Sequence, residues 1–237
     1  MPVVQKMGCQ VAQIIDHGDH VYTVELVPER KLPIFRPGQF LHLALDPYDP
    51  SSFWPDSRPF SIASSPSQRE AIQITYSVQG RFTARMEREL AVGQGVWVKL
   101  PYGDFVVGGD VDVVLMAGGT GITAFTAYLA ALKGNLLHPV TLFYGARHRG
   151  LLLYRDMLDE QAAMVPGLRV YYQLESGPQE NGELKGRLSI PDAWARLGRP
   201  EEAHYFLSGP PAMLTALSKD LRSFGILENA IHTDAWA

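Results

Sequence analysis

The sequence predicts two domains of different class. The first is an all-β half with one helix, a small barrel or sandwich; the second is a doubly wound α/β half with a five-stranded parallel sheet. Three observations carry this. Up to about Val107, short β-rich runs are broken by turn residues. After Gly108-Gly109-Asp110, continuous apolar runs alternate with segments of helical length. A chain of 237 residues, 46% hydrophobic and 19% charged, is long enough for two compact cores.

Element by element, the first half offers "HVYTVELV", "QFLHLAL", "AIQITYSV" and "GVWVKL" as strands. Asp-His-Gly-Asp, Arg-Pro-Gly and Val-Gly-Gln-Gly punctuate them, and "RFTARMEREL" is the single helix. In the second half "VDVVLMAG", "PVTLFYGA", "LRVYYQL", "HYFLSG" and "AIHTDA" have the unbroken apolar character of strands buried on both faces. Between them "ITAFTAYLAALKG", "LLLYRDMLDEQAAM", "SIPDAWARLG" and "PAMLTALSKDLRSFG" carry helical spacing. The boundary is expected near residues 108 to 112, giving domains 1–108 and 109–237. Residues 176 to 187 form the longest polar stretch and read as an exposed loop whose glycines and charges serve solvation.

Composition removes several classes of function. A net charge of −4 gives no basic field for nucleic acid or an anionic membrane surface. No window approaches the roughly 18 apolar residues of a membrane span, and no signal-like leader opens the chain. The one cysteine, Cys9, allows neither an internal disulfide nor a cysteine-ligated metal or cluster, so a cytoplasmic protein is expected. The Asp-His-Gly-Asp-His run at 16–20 reads as a hairpin turn rather than a metal site. The other histidines have no ligand spacing, so no metal is expected.

Three stretches carry chemistry. "MAGGTGIT" closes a strand and opens a helix: Gly118, Gly119 and Gly121 permit a tight turn and close approach of an anion, and free N–H groups near Ile122 point at it. The strict G-x-G-x-x-G spacing is absent, and such turns also serve helix-strand packing. "SRPFSIASSP" puts Arg58 and Phe60 on one face of an extended strand and Ser61 on the other. A buried Phe beside a surface Arg explains this equally. "SVQGRFTARM" places Gly80 and Thr83 at a helix start, suited to a phosphate or to plain helix initiation.

Together these stretches resemble the ferredoxin-NADP reductase superfamily, in length and ending most closely its small NAD(P)H-flavin reductases. The resemblance spans nearly the whole chain in order. It implies an N-terminal antiparallel Greek-key β-barrel that binds FAD, or FMN, and a C-terminal NAD(P)-binding domain. Arg58-Pro59-Phe60-Ser61 is similar to the family's Arg-x-aromatic-Ser motif. This implies Arg58 near flavin phosphate or ribityl, Phe60 against the isoalloxazine and Ser61 hydrogen-bonded to flavin N5. Gly80-Arg81-Phe82-Thr83 resembles the flavin-phosphate helix, with Tyr76, Ser77 and Val78 leading into it. Pro101-Tyr102-Gly103-Asp104-Phe105 resembles the segment that closes the barrel.

Gly118, Gly119, Thr120, Gly121, Ile122 and Thr123 look like the pyridine-nucleotide loop. Ser208-Gly209-Pro210-Pro211-Ala212-Met213 resembles the Cys-Gly-Pro-Pro-x-Met element with serine in place of cysteine. That cysteine lies near nicotinamide C4 in the family, so the substitution puts the catalytic role of Ser208 in doubt, although its hydroxyl retains hydrogen-bonding capacity. Asp234-Ala235-Trp236 resembles the flavin-reductase ending, which implies that Trp236 lies on the flavin face that nicotinamide must occupy. An ordinary hydrophobic groove is the other explanation for Trp236. Arg147 and Arg149, just after the second strand of the α/β half, lean toward the 2′-phosphate of NADPH, with NADH still open.

The implied activity is hydride transfer from nicotinamide C4 to flavin N5, with electrons passed to free flavin or to a redox protein. A dedicated electron-transfer reductase for a ferredoxin or oxygenase component is the alternative. A non-catalytic flavin- or nucleotide-binding subunit is the reading outside the enzyme class.

Overall fold

The computed structural model describes residues 3–180 and 182–234 and divides into two compact units, Met1–Val106 and Val107–Ala237. Each is described by itself.

Unit 1 contains β1 (Gln5–Asp16), β2 (Val21–Pro28), β3 (Phe40–Ala44), β4 (Ser57–Ser61), β5 (Ile72–Ser77), α1 (Arg81–Glu89) and β6 (Gly95–Tyr102). The strands form one antiparallel sheet in the order β4-β3-β6-β1-β2-β5. Just beyond β4 the Ala63 N–H donates to the Gln73 carbonyl of β5 at 2.8 Å, so the two edges nearly close a barrel. The interior is apolar: Leu26, Leu41, Leu43, Ile74, Val98 and Leu100 are all fully buried. Burying each such side chain contributes roughly 1.5–3 kcal/mol, enough to organise a unit of this size.

Two strands lie outside the four clearest β-runs. In β1 the apolar Met7, Cys9 and Val11 are buried at period two, while Gln10 and Lys6 face solvent and Gly8 breaks the run. β4 is an edge, which suits Pro59: lacking an N–H, proline is tolerated where one side of the strand makes no ladder. The 16–20 segment is a turn between β1 and β2. Asp16 Oδ1 accepts the Gly18 N–H at 2.8 Å, and Gly18, Asp19 and His20 all have positive φ. The Pro101–Phe105 segment packs at the barrel end: Gln39 Nε2 donates to the Gly103 carbonyl at 2.9 Å, and a side chain on Gly38 would collide with the Phe105 carbonyl.

Unit 2 contains β7 (Val113–Gly118), α2 (Thr123–Leu129), β8 (Val140–Ala146), α3 (Arg155–Met164) and β9 (Leu168–Leu174). These are followed by β10 (Leu184–Lys185), α4 (Ile190–Trp194), β11 (His204–Ser208), α5 (Pro211–Ser223) and β12 (Ile231–Thr233). The sheet is parallel, in the order β10-β9-β8-β7-β11-β12. It has six strands rather than five. The added strand, two residues long and set in a polar stretch, is too short to show any periodicity in sequence. Val114, Met116, Tyr205 and Leu207 share one face with Ile190 and Ala193 of α4 and Leu214, Leu217 and Leu221 of α5. The helices after β7 and β8 begin later than their apolar spacing predicts. A 3-10 turn, Gly119–Ile122, precedes α2, and Tyr154 in the left-handed conformation precedes α3.

Candidate functional site

In unit 1 the flavin-motif residues converge on β4, β5 and the start of α1. Phe60 is buried in the core and meets Tyr76 edge-on, with ring centroids 6.1 Å apart. Tyr76 in turn stacks on Tyr22 at 5.5 Å. Ser61 alternates to the opposite side of the strand and is buried. Arg58 is exposed; its guanidinium lies 5.2 Å from the Phe82 ring centre, donates to Asp56 Oδ1 at 2.6 Å and to the Ser57 carbonyl at 2.8 Å. The strand and the helix start are thereby brought together. The Asp56 pair is solvent-exposed, of a kind worth about 0–1 kcal/mol, so a ligand phosphate can compete for the arginine.

The helix start differs in one respect from its sequence reading. Thr83 Oγ1 accepts the N–H groups of Gln79 (3.0 Å) and Gly80 (3.1 Å) and lies 3.1 Å from the Gly80 carbonyl, to which it donates. The hydroxyl is committed to shaping the turn. What α1 can offer an anion is its own first-turn N–H groups, with no acidic residue in that turn, and Arg81, which is exposed. Space over Gly80 is open, so a ligand can approach its backbone. Ser77 accepts from Gln79 Nε2 at 3.0 Å, and the Val78 N–H donates to the His20 carbonyl at 2.9 Å, fixing the lead-in to the helix.

In unit 2 the topology locates the second candidate site. From β7 the chain runs outward through β8, β9 and β10 on one side, and β11 and β12 return on the other, so the order reverses between β7 and β11. Ligands of open α/β sheets bind outside the carboxyl ends of the strands at such a switch point. The 118–123 loop follows β7 there and the 208–213 turn follows β11, with Ala117 and Ser208 in register. Glycine is required for the two to approach. A side chain on Gly121 would strike the Ser208 carbonyl, and one on Gly118 would strike Met213. Gly119 has φ +54°, and Thr123 Oγ1 donates to the Thr120 carbonyl at 2.8 Å. Gly209 has φ +152° and lies against Gly118 and Met213; the exposed Pro210 leads into α5.

Two expected ligand contacts are corrected by the geometry. Ser208 is buried and its hydroxyl donates to Asp234 Oδ2 at 3.0 Å, because the buried Asp234 carboxylate needs a donor. That bond makes the serine a partner of Asp234, and its hydroxyl retains only acceptor capacity. Arg149 is not a free cation: Nε and Nη2 donate to the two Glu183 oxygens at 3.0 and 2.7 Å, and Nη1 is 2.8 Å from Glu180 Oε2. Arg147 is exposed, and its carbonyl accepts both the N–H and the hydroxyl of Ser176 at 2.8 Å.

The polar 176–187 stretch is likewise not mere solvation. The Glu183 side chain is fully buried and also accepts Arg155 Nη1 at 2.8 Å. The Arg149 hydrogen bond is the main cause that holds the Glu183 carboxyl down to about 2 against an ordinary 4.5. Removing one partner of a buried charge pair costs about 3–5 kcal/mol, so this is a fixed strut. A lone glutamate among exposed neighbours carries no sequence signal of burial, so Glu183 is not visible as a buried charge in sequence. Trp236 lies outside the described residues.

The fold of the two units is that of the ferredoxin-NADP reductase superfamily, and residues 115–219 match the oxidoreductase NAD-binding domain family. The reductase component DmpP of phenol 2-monooxygenase from Pseudomonas sp. (strain CF600) is 27% identical over 93% of the chain and 63% of its own length. The ferredoxin–NAD(P)(+) reductase component of the Ralstonia sp. naphthalene 1,2-dioxygenase/salicylate 5-hydroxylase systems is 29% identical over 85% of the chain and 60% of its own length. The flavohem-like FAD/NAD-binding domain of nitric oxide dioxygenase from Vibrio cholerae O1 biovar El Tor superposes with TM-score 0.82 at 20% identity, covering 97% of this chain and 98% of that one. The chain thus spans under two thirds of the length of these two curated relatives.

Proposed function

We propose that the chain is a flavin-dependent NAD(P)H oxidoreductase that takes hydride from a reduced pyridine nucleotide and passes electrons to a separate redox protein. The carrying observation is that each unit holds a candidate site of the right chemistry. One is a helix start with no acid in its first turn, beside Arg58. The other is a glycine-built crevice at the switch point of the parallel sheet. The residues fit both groups: Arg58, Arg81 and the first-turn N–H groups of α1 suit a flavin phosphate, and the open space over Gly119 leaves backbone accessible to a pyrophosphate.

A bound FAD supplies the redox chemistry, accepting hydride from nicotinamide C4 at N5. FMN would use the same Arg58 and helix-start donors. The protein's part is binding, orientation and exclusion of water. In this reading Ser61 is the catalytic residue, its hydroxyl offering a hydrogen bond at N5. Arg58, Arg81 and the α1 N–H groups anchor the phosphate. Phe60 and Tyr76 provide the aromatic floor, with Pro59, Ser77, Val78, Gly80, Phe82 and Thr83 holding the backbone in place. Residues 118–123 with Gly209 and Pro210 cradle the dinucleotide. Residues 1–108 form the flavin-binding domain and 109–237 the NAD(P)-binding domain.

The named oxygenase reductase components among the relatives support a protein acceptor, a ferredoxin or an oxygenase component. With Cys9 as the single cysteine, buried and pushed up to about 12 by desolvation, any iron-sulfur relay belongs to other sequence. The same cysteine content supports a cytoplasmic location. Among the described residues no helix is long and apolar enough to cross a membrane. Free flavin as acceptor is the second reading, favoured by the Asp234-Ala235-Trp236 ending. The visible spectrum of the purified chain, recorded anaerobically before and after adding NADH or NADPH, tests both. A yellow protein bleached by nucleotide supports the electron-transfer reductase. A colourless one that oxidises nucleotide only with added flavin supports the second reading, and no oxidation in either state overturns both.

A further inference from the structure

The choice between the two pyridine nucleotides is also written in unit 2, given the reading of that unit as a nucleotide site. The segment after β8, Arg147-His148-Arg149, lies at the carboxyl ends of the parallel strands, where a doubly wound sheet meets the adenosine ribose. NADPH differs from NADH by a 2′-phosphate on that ribose, and binding it takes a cation free to turn toward it.

Arg149 is held on every side. Glu183 receives its Nε and Nη2, Glu180 its Nη1 at 2.8 Å, and the Pro178 carbonyl lies 3.3 Å from Nη2. Swinging the guanidinium out would strip half the partners from a carboxylate that is fully buried. That penalty exceeds what one partly exposed phosphate contact returns. The neighbouring Arg155 is committed as well, to the buried Glu183 and to Asp159, whereas Arg187 faces solvent beside Glu175. The exposed Glu180 and half-exposed Glu175 carboxylates would stand beside any dianion brought to this edge.

We propose that the Arg149–Glu183 clamp, with Glu180 on its outer side, is the specificity determinant that selects the nucleotide lacking a 2′-phosphate, so that NADH is taken in preference to NADPH. Arg149, which suggests NADPH in sequence, is in the fold a reason against it.

Calorimetric titration of the full chain with ADP-ribose and with 2′-phospho-ADP-ribose tests this without any flavin chemistry. The wild type is expected to bind ADP-ribose at least about tenfold more tightly. Glu180→Gln, an exposed change that leaves the buried strut standing, is expected to improve binding of the 2′-phospho form and narrow the ratio at least about threefold, and Glu183→Gln more so. A wild-type preference for the 2′-phosphate, or a ratio unmoved in Glu180→Gln, overturns the clamp as determinant while leaving the nucleotide site in place. Failure of both fragments to bind overturns the nucleotide reading of unit 2 and the clamp with it.

Discussion

Ser61 and Gly121 are the two positions at which a single atom decides most. The Ser61 side chain sits on the opposite side of β4 from Phe60, and in the proposed reaction its hydroxyl serves the reacting nitrogen of the flavin. Ser61→Ala removes one hydrogen bond, worth about 1–3 kcal/mol, so nucleotide-driven flavin reduction should slow roughly 5- to 100-fold with little change in nucleotide affinity. Stopped-flow reduction at the wild-type rate would sink that role. Gly121 is constrained differently: any side chain there meets the Ser208 carbonyl. Gly121→Ala should lower stability by about 1–3 kcal/mol, read from the urea midpoint, and weaken ADP-ribose binding as the loop shifts. The motifs around both residues could be read in sequence, because glycine spacing and an Arg-x-aromatic-Ser order are local. The hydrogen bond of Ser208 to Asp234 and the clamp on Arg149 could not, since each joins residues 26 and 34 positions apart respectively.

Helix α1 and the 176–187 segment show how an element acquires its role from its ends. Thr83 reaches back to the Gly80 N–H and carbonyl, so the first turn is closed by a side chain and its remaining donors face outward. Thr83→Val should therefore destabilise unit 1 by about 1 kcal/mol and weaken flavin retention, with Thr83→Ser restoring both. Urea denaturation and flavin absorbance check the pair. In the 176–187 segment the Glu183 carboxyl has its folded value depressed to about 2 from 4.5. A depressed carboxyl stabilises the fold fully above its unfolded value and loses that contribution as pH falls through the folded one. The stability gap between wild type and Glu183→Gln should hold above about pH 4.5 and shrink steadily toward pH 2. A gap that does not change over that window would refute the strut. Helix and strand cores here follow their apolar spacing. The element ends, including the 3-10 turn before α2 and the two-residue β10, are set by hydrogen bonds to distant chain.

Across the whole molecule the two units carry separate candidate sites on separate cores, so their defects should separate. Leu207→Ala opens a cavity beneath the switch point, whereas Leu43→Ala opens one inside the barrel. Each should cost about 2–5 kcal/mol. The first is expected to impair ADP-ribose binding while the flavin absorbance persists, and the second to lose flavin while ADP-ribose still binds. Titration and absorbance on the same preparations check this, and a single shared loss in both variants would refute the division of labour.

By itself the sequence determined the class of each half, most of the strands and helices, and the stretches from which both candidate sites are built. These follow from periodicity, turn residues and short motifs, all of them local. Only the tertiary structure decided that Thr83 closes its own helix turn, that Ser208 belongs to Asp234, and that Glu183 is buried between two arginines. Whether a charged or hydroxyl group faces a ligand depends on which partner reaches it first in space, and a buried charge takes the nearest opposite charge the fold provides.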